Sequence, residues 1–159
     1  MKHIISALVQ NEAGVLAHIS GLFAGRGFNI DSLAVGETEN PEVSRMTIVA
    51  EGDEQILEQI VKQLRKVITV LKVQDFSGHD HVERDLMLIK VNAPPGRRSE
   101  IIEIVTLFRG RVVDVCPNEL MIELSGPEKK IEAFIAMVQP FGIKEVSRTG
   151  RVALTRGGK

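Results

Sequence analysis

Apolar and polar residues follow two alternating periods along this chain, and the switches between them predict its elements. Residues 2–10 are apolar and partly β-branched, Asn11-Glu12-Ala13-Gly14 interrupts them, and Val15, Leu16, Ile19, Leu22 and Phe23 then recur at helical spacing. That order reads as strand, tight turn, helix. Gly25 and Gly27 stop the helix as C-terminal caps. Residues 28–35 alternate as a second strand, with Ile30, Ser32 and Ala34 on one face and Asn29, Asp31, Leu33 and Val35 on the other. Residues 36–42 form a polar hairpin loop and residues 43–50 a third strand. Asp53 can cap a second helix striped by Ile56, Leu57, Ile60, Val61 and Leu64, and residues 67–76 return as a fourth strand.

A polar linker at 77–83 follows, and the order then starts again. Residues 86–92 read as a strand, Pro94-Pro95-Gly96-Arg97-Arg98 as a loop, and Ser99 as the cap of a helix carrying Ile101, Ile102, Val105 and Phe108. Gly110 ends that helix. Residues 111–116 and 119–125 make two strands around a Pro117-Asn118 turn, Pro127 opens a last helix, and residues 143–147 close the series. Local likeness supports the repeat. Leu22-Phe23-Ala24-Gly25-Arg26 answers Leu107-Phe108-Arg109-Gly110-Arg111, and Gly52-Asp53-Glu54 answers Gly126-Pro127-Glu128. The predicted class is α+β, as two tandem ferredoxin-like βαββαβ sandwiches over residues 1–76 and 84–159.

Composition removes several functions. With 20 Lys plus Arg against 21 Asp plus Glu, the formal charge of −1 gives no surplus of cation to hold a nucleic-acid backbone or an anionic membrane. All aromatic residues are Phe, only 4% of the chain, so stacking platforms for single-stranded nucleic acid are scarce. Hydrophobic residues at 43% suffice for a globular core. One cysteine, Cys116, allows neither an internal disulfide nor a Cys-based zinc cluster. The first apolar run closes at Gln10, short of a signal peptide, and no run approaches the roughly 18 residues of a membrane span, so a cytoplasmic protein is expected.

The sharpest local feature is Asn11-Glu12-Ala13-Gly14-Val15-Leu16 at the first strand-to-helix turn. A helix N-terminus offers unpaired N–H groups and partial positive charge, Gly14 leaves the backbone approachable, and Asn11 can both donate and accept; together these suit a carboxylate. An ordinary capping turn accounts for the same residues. Gly25-Arg26-Gly27 follows a helix, whereas a phosphate loop precedes one, so it reads as a cap. Asn29 reads as a strand-entry polar residue, Cys116 as a core or edge thiol, and His18 as a solvated side chain. His79-Asp80-His81-Val82-Glu83 carries metal-type donors without fixed geometry, and a polar linker is its ordinary reading; no metal site is expected. There is no Ser-His-Asp order, paired-carboxylate motif or cofactor fingerprint, so a binding or interaction protein is favoured over an enzyme. The open sheet edges would be natural pairing surfaces for an oligomer.

Asn11-Glu12-Ala13-Gly14-Val15-Leu16, Gly21-Leu22-Phe23, residues 26–33 (Arg-Gly-Phe-Asn-Ile-Asp-Ser-Leu) and Ser44-Arg45-Met46-Thr47-Ile48 resemble the ACT domain of the small, regulatory subunit of acetolactate synthase. The likeness continues through His81-Val82-Glu83-Arg84, residues 108–115 and Arg148-Thr149-Gly150-Arg151, and so covers essentially the whole chain. It implies a non-catalytic partner of a large subunit that carries thiamine diphosphate, magnesium and usually FAD and joins two pyruvates, or pyruvate and 2-oxobutyrate, on the route to valine, leucine and isoleucine. It implies activation of that subunit, feedback inhibition by a branched-chain amino acid, commonly valine, and N-terminal ACT domains that pair as a homodimer with effector sites at the interface. Asn11, Gly14, Val15 and Leu16 match the family's effector loop, and Asn29 and Ile30 match positions supplied across the interface. No cofactor, metal, nucleic acid or membrane is implied for this chain itself. The second half has Pro94-Pro95-Gly96-Arg97-Arg98 in place of the Asn-x-x-Gly turn, so dimerisation or contact with the catalytic subunit is expected of it instead of effector binding. The alternative is a stand-alone tandem-ACT regulator responsive to an amino acid, which would share the fold; no helix-turn-helix segment accompanies it here.

Overall fold

The computed structural model describes residues 2–157; the outer ends of the two expected domains, Met1 and residues 158–159, lie outside the described residues. The elements run β1 (Lys2–Gln10), α1 (Val15–Gly25), β2 (Asn29–Glu37), β3 (Val43–Glu51), α2 (Glu54–Lys66), β4 (Val70–Asp75), β5 (His81–Asn92), α3 (Arg98–Leu107), β6 (Arg111–Cys116), β7 (Glu119–Gly126), α4 (Glu128–Val138), a short 3-10 turn (Gln139–Phe141) and β8 (Ile143–Thr155). Two four-stranded sheets result, ordered β2-β3-β1-β4 and β6-β7-β5-β8. The repeat of βαββαβ order is therefore also a repeat of sheet topology. The chain divides into two compact units, Met1–Val82 with Arg151–Lys159, and Glu83–Gly150.

In the first unit, alternate residues of β1 and β3 (Ile5, Ala7, Val9, Met46, Ile48, Ala50) meet the apolar stripes of both helices, Val15, Ile19 and Phe23 on α1 and Leu57, Ile60 and Leu64 on α2. Phe23 is fully buried and meets Phe28 edge-on, with ring centroids 6.2 Å apart, pinning the exit of α1 to the entry of β2. Asp53 caps α2 as expected, its carboxylate accepting from Ile56 N–H at 2.9 Å. The second unit repeats this layering with Met87, Ile89, Leu120 and Ile122 under Ile101, Val105, Ile131 and Phe134.

Four expectations are corrected. The strict alternation of β2 breaks at Asp31, where the register against β3 shifts between Ile30 and Ser32. This β-bulge changes the phase, so Ile30, Leu33 and Val35 oppose core residues Ala50, Ile48 and Met46, while Ser32 and Ala34 turn to the other face. Ser99 is not a cap; α3 begins at Arg98, and the capping position is Arg97, without a side-chain bond. The linker is shorter than residues 77–83 because β5 already begins at His81. The second domain does not keep residues 84–159: from Arg151 onward the chain groups with the first unit, where Ala153 is buried with Ile4, Val49 and Phe76 on the face of the first sheet opposite its helices. Burying that apolar face is favourable wherever the covering residue comes from in sequence. Arg151 N–H also reaches Ser32 Oγ at 3.4 Å, and Arg156 N–H donates to the Asp80 carbonyl at 3.1 Å.

Candidate functional site

The first strand-to-helix turn is built around Gly14, which sits at the capping position of α1 with φ 86° and makes no side-chain cap. That left-handed conformation is where glycine is favoured over every residue with a Cβ. With no side chain closing the turn, the N–H groups of Leu16 and Ala17 have no acceptor among the described residues. They are the open donors of a helix start. Val15 is buried in the core, so it offers the turn only its backbone, whereas Leu16 is 45% exposed and puts an apolar side chain beside those donors.

Asn11 is held by the hairpin between β2 and β3. Its Nδ2 donates to the Pro41 carbonyl at 3.0 Å and to Glu37 Oε1 at 3.4 Å, and its N–H donates to the Glu42 carbonyl at 2.8 Å. The side-chain donors are thus occupied and Oδ1 remains an acceptor. Glu37 and Pro41, from the hairpin between β2 and β3, also belong to this cluster, and the run of acids Glu37, Glu39 and Glu42 is the only signal of it in the sequence.

Asn29 and Ile30 are elsewhere. Asn29 pairs with Glu51, which also pairs with Lys2, so Asn29 stands level with the start of β1, while Asn11 follows its end. Nine residues of strand separate those levels, roughly 30 Å at about 3.3 Å per residue. Asn29 Nδ2 donates to Asp31 Oδ1 at 3.1 Å, and Asp31 pairs with Lys2 at 3.6 Å. Asn11, Gly14, Val15 and Leu16 therefore come together at one end of the sheet, and Asn29 and Ile30 lie at the other.

The matching turn of the second unit has no side-chain cap either, but it is tied down by its own arginine. Arg98 Nη2 donates to the carbonyls of Ala93 at 3.2 Å, Pro117 at 2.9 Å and Cys116, tying the turn before α3 to the β6–β7 turn. Arg97 lies over the Phe141 ring, 4.2 Å from its centroid, and pairs with Glu100 at 3.6 Å. Neighbouring charges are likewise paired. The Lys144 ammonium, hydrogen-bonded to Glu119 at 2.9 Å, holds that carboxyl below its ordinary range. Arg148 forks onto Asp85 Oδ2 at 2.7 and 3.0 Å and reaches Glu132 at 2.9 Å; partial desolvation opposes its charge, but the two carboxylates outweigh it and raise its pKa. Local desolvation, with Asp114 and Glu119 nearby, raises the Cys116 thiol, the direction of an unreactive cysteine.

In the former linker, Asp80 pairs with Arg156 at 3.2 Å and the His81 ring lies against Phe76 with centroids 5.3 Å apart. Among the described residues no three His, Cys, Asp or Glu side chains converge as metal ligands, and no helix is long and apolar enough to cross a membrane.

Residues 5–72 match the family model described as AHAS small subunit-like ACT domain, and residues 84–157 match that described as small subunit of acetolactate synthase. The chain is 52% identical over 159 residues to the probable acetolactate synthase small subunit of Archaeoglobus fulgidus, covering 100% of this chain and 99% of that one. It belongs to the acetolactate synthase small-subunit family. The acetolactate synthase small subunit of Aquifex aeolicus is 54% identical over 156 residues, 98% of this chain and 81% of that protein. The crystal structure of the small subunit from Thermotoga maritima superposes with a TM-score of 0.90 at 40% identity, covering 100% of this chain and 99% of that one. Membership and the paired ACT-type sandwiches expected from the sequence thus hold along the full chain.

Proposed function

We propose that this chain acts on an acetolactate synthase catalytic subunit, raising its activity and making it sensitive to a branched-chain amino acid, commonly valine, that binds the N-terminal unit of a homodimer. The observation that carries the reading is the separation of the effector residues onto the two ends of one sheet, together with the position of β2 at that sheet's edge. Two copies paired antiparallel along β2 would bring Asn29 of one near Glu37 of the other, and Glu37 already contacts Asn11. Such a pairing would complete two identical sites from halves that one chain keeps apart. The N–H groups after Gly14 would take the effector carboxylate, Asn11 Oδ1 its ammonium, and Leu16 with Ile30 its branched side chain. Effector and catalytic subunit would then be coupled through the dimer, reciprocally and by about 1–3 kcal/mol. Thiamine diphosphate, magnesium and FAD would belong to the catalytic partner, in the cytoplasm, and this chain would hold no cofactor.

The test is reconstitution with the catalytic subunit and assay of acetolactate formation with and without valine. Activation by the wild-type chain and inhibition by valine are expected. Gly14→Asp should keep activation and lose valine inhibition, because its carboxylate would occupy the anion's place on a backbone already at positive φ. Absence of both activation and complex formation would overturn the reading.

A further inference from the structure

The face of the first sheet away from its helices carries a polar cavity that the effector site does not use. It has a volume of about 170 Å3 and is walled by Ser6, Arg45, Lys72 and Gln74, with Leu154 and Thr155 of the chain's last strand at its edge. That volume is several times the roughly 10–15 Å3 that admits one water. Register explains the composition. Leu8 pairs with Arg45 on one side and Lys72 on the other, and Ser6 pairs with Gln74, so two cations flank one apolar floor residue with a hydroxyl and a carboxamide in the next row. Cationic Cα positions two strands apart lie about 10 Å from each other, near enough for both long side chains to reach one small ligand.

No acidic residue lines the cavity. Arg45 Nη1 donates to Ser6 Oγ at 2.9 Å, and neither Arg45 nor Lys72 has an ion pair among the described residues. Ser6 is buried and Arg45 half-buried, so part of the positive field is screened less than at an open surface. We infer that this cavity binds a small oxyanion, with Arg45 and Lys72 supplying charge and Ser6, Gln74 and Thr155 supplying neutral donors. Two cations with no acid favour a dianion such as a phosphate group over a single carboxylate. Because Leu154 and Thr155 complete the rim, and Arg156 beside them is held by Asp80 at 3.2 Å, anion binding and the seating of the last strand would stabilise each other.

The experiment is a two-dimensional amide NMR titration of the full chain with inorganic phosphate and, separately, with acetate, each against sodium chloride of matched ionic strength. Saturable shifts at Ser6, Arg45, Gln74 and Thr155 are expected, tighter for phosphate; saturation by acetate alone would retain the site and make a carboxylate its ligand. Lys72→Gln, at an exposed position that leaves the fold intact, should weaken phosphate about tenfold, and Arg45→Gln should do so by at least as much. Shifts that never saturate, or that chloride reproduces, would overturn the inference. Valine takes no part in these measurements, so their failure leaves the effector reading standing.

Discussion

The two units have the same order of strands and helices and the same sheet topology, yet their first turns are made differently. In the first unit Gly14 caps α1 with no side chain, and two helix N–H groups remain open. In the second unit the start of α3 likewise lacks a side-chain cap, but the left-handed glycine is absent and Arg98 spreads one guanidinium over three carbonyls, tying the turn to its neighbour. The fold supplies a helix start pointing out of a sheet end in both units. What differs is the backbone and the side chain beside those donors, a left-handed glycine in one unit and a tethered arginine in the other, so a shared fold does not by itself assign a shared role to the two turns.

The difference between the two turns rests most heavily on Arg98. Arg98→Ala should destabilise the protein by about 2–3 kcal/mol in urea unfolding, because carbonyls arranged around the guanidinium lose their donor. It should not give the second unit a ligand site of the kind proposed for the first, since no Gly14-like left-handed turn precedes α3: Arg97 there has φ −119°. Calorimetric titration of valine into wild type and variant, giving the same stoichiometry for both, checks this.

A smaller effect separates the paired glycines Gly52 and Gly126. A Cβ at Gly52 would stand 2.6 Å from two ring carbons of Phe28, a rigid side chain in the core, whereas at Gly126 the nearest atom, at 2.5 Å, is Cδ of the flexible Lys130. Gly52→Ala is expected to cost about 1–2 kcal/mol by overpacking, and Gly126→Ala about 0.5 kcal/mol or less. Thermal melts of the two variants read the difference directly, and equal losses would show that the two helix entries are packed alike.

The smallest effect concerns the ion pairs that fill the second unit. Glu119 is held ionised by Lys144, so its folded pKa lies below the unfolded one. The pair's contribution is present above the ordinary carboxylate range and is lost as pH falls through the depressed folded value. Glu119→Gln should flatten the acid limb of the stability profile slightly and leave stability near its wild-type level once both carboxyl states are protonated, as denaturant midpoints across that range would record.

Much of this was legible along the chain because the signals are short-range. The stripes of α1 and α2, the Asp53 cap and the repeat of landmarks around Leu22 and Leu107 all rest on neighbours within one or two turns. The bulge at Asp31 was not legible, since an inserted strand residue leaves the run of residue types nearly unchanged while reversing the faces after it. Nor was the burial of Ala153 against Ile4, Val49 and Phe76, which nothing in the local pattern of residues 151–155 announces. At the candidate site the sequence names residues but not their spatial relation. The strand register, which no run of residue types reveals, sets Asn11 and Asn29 at opposite ends of the sheet.

The order of residue types is enough for the class of fold, its doubling, the glycine turn before α1 and, through several specific motifs, the family. Tertiary structure alone decided which candidate residues stand at the same end of a sheet, where the β2 bulge falls and which apolar face Ala153 covers. The reason is one of range. Helical and strand periods, caps and turns are set by chemistry within a few residues, whereas a bulge, a register or a buried face is chosen by segments that meet only once the chain has folded.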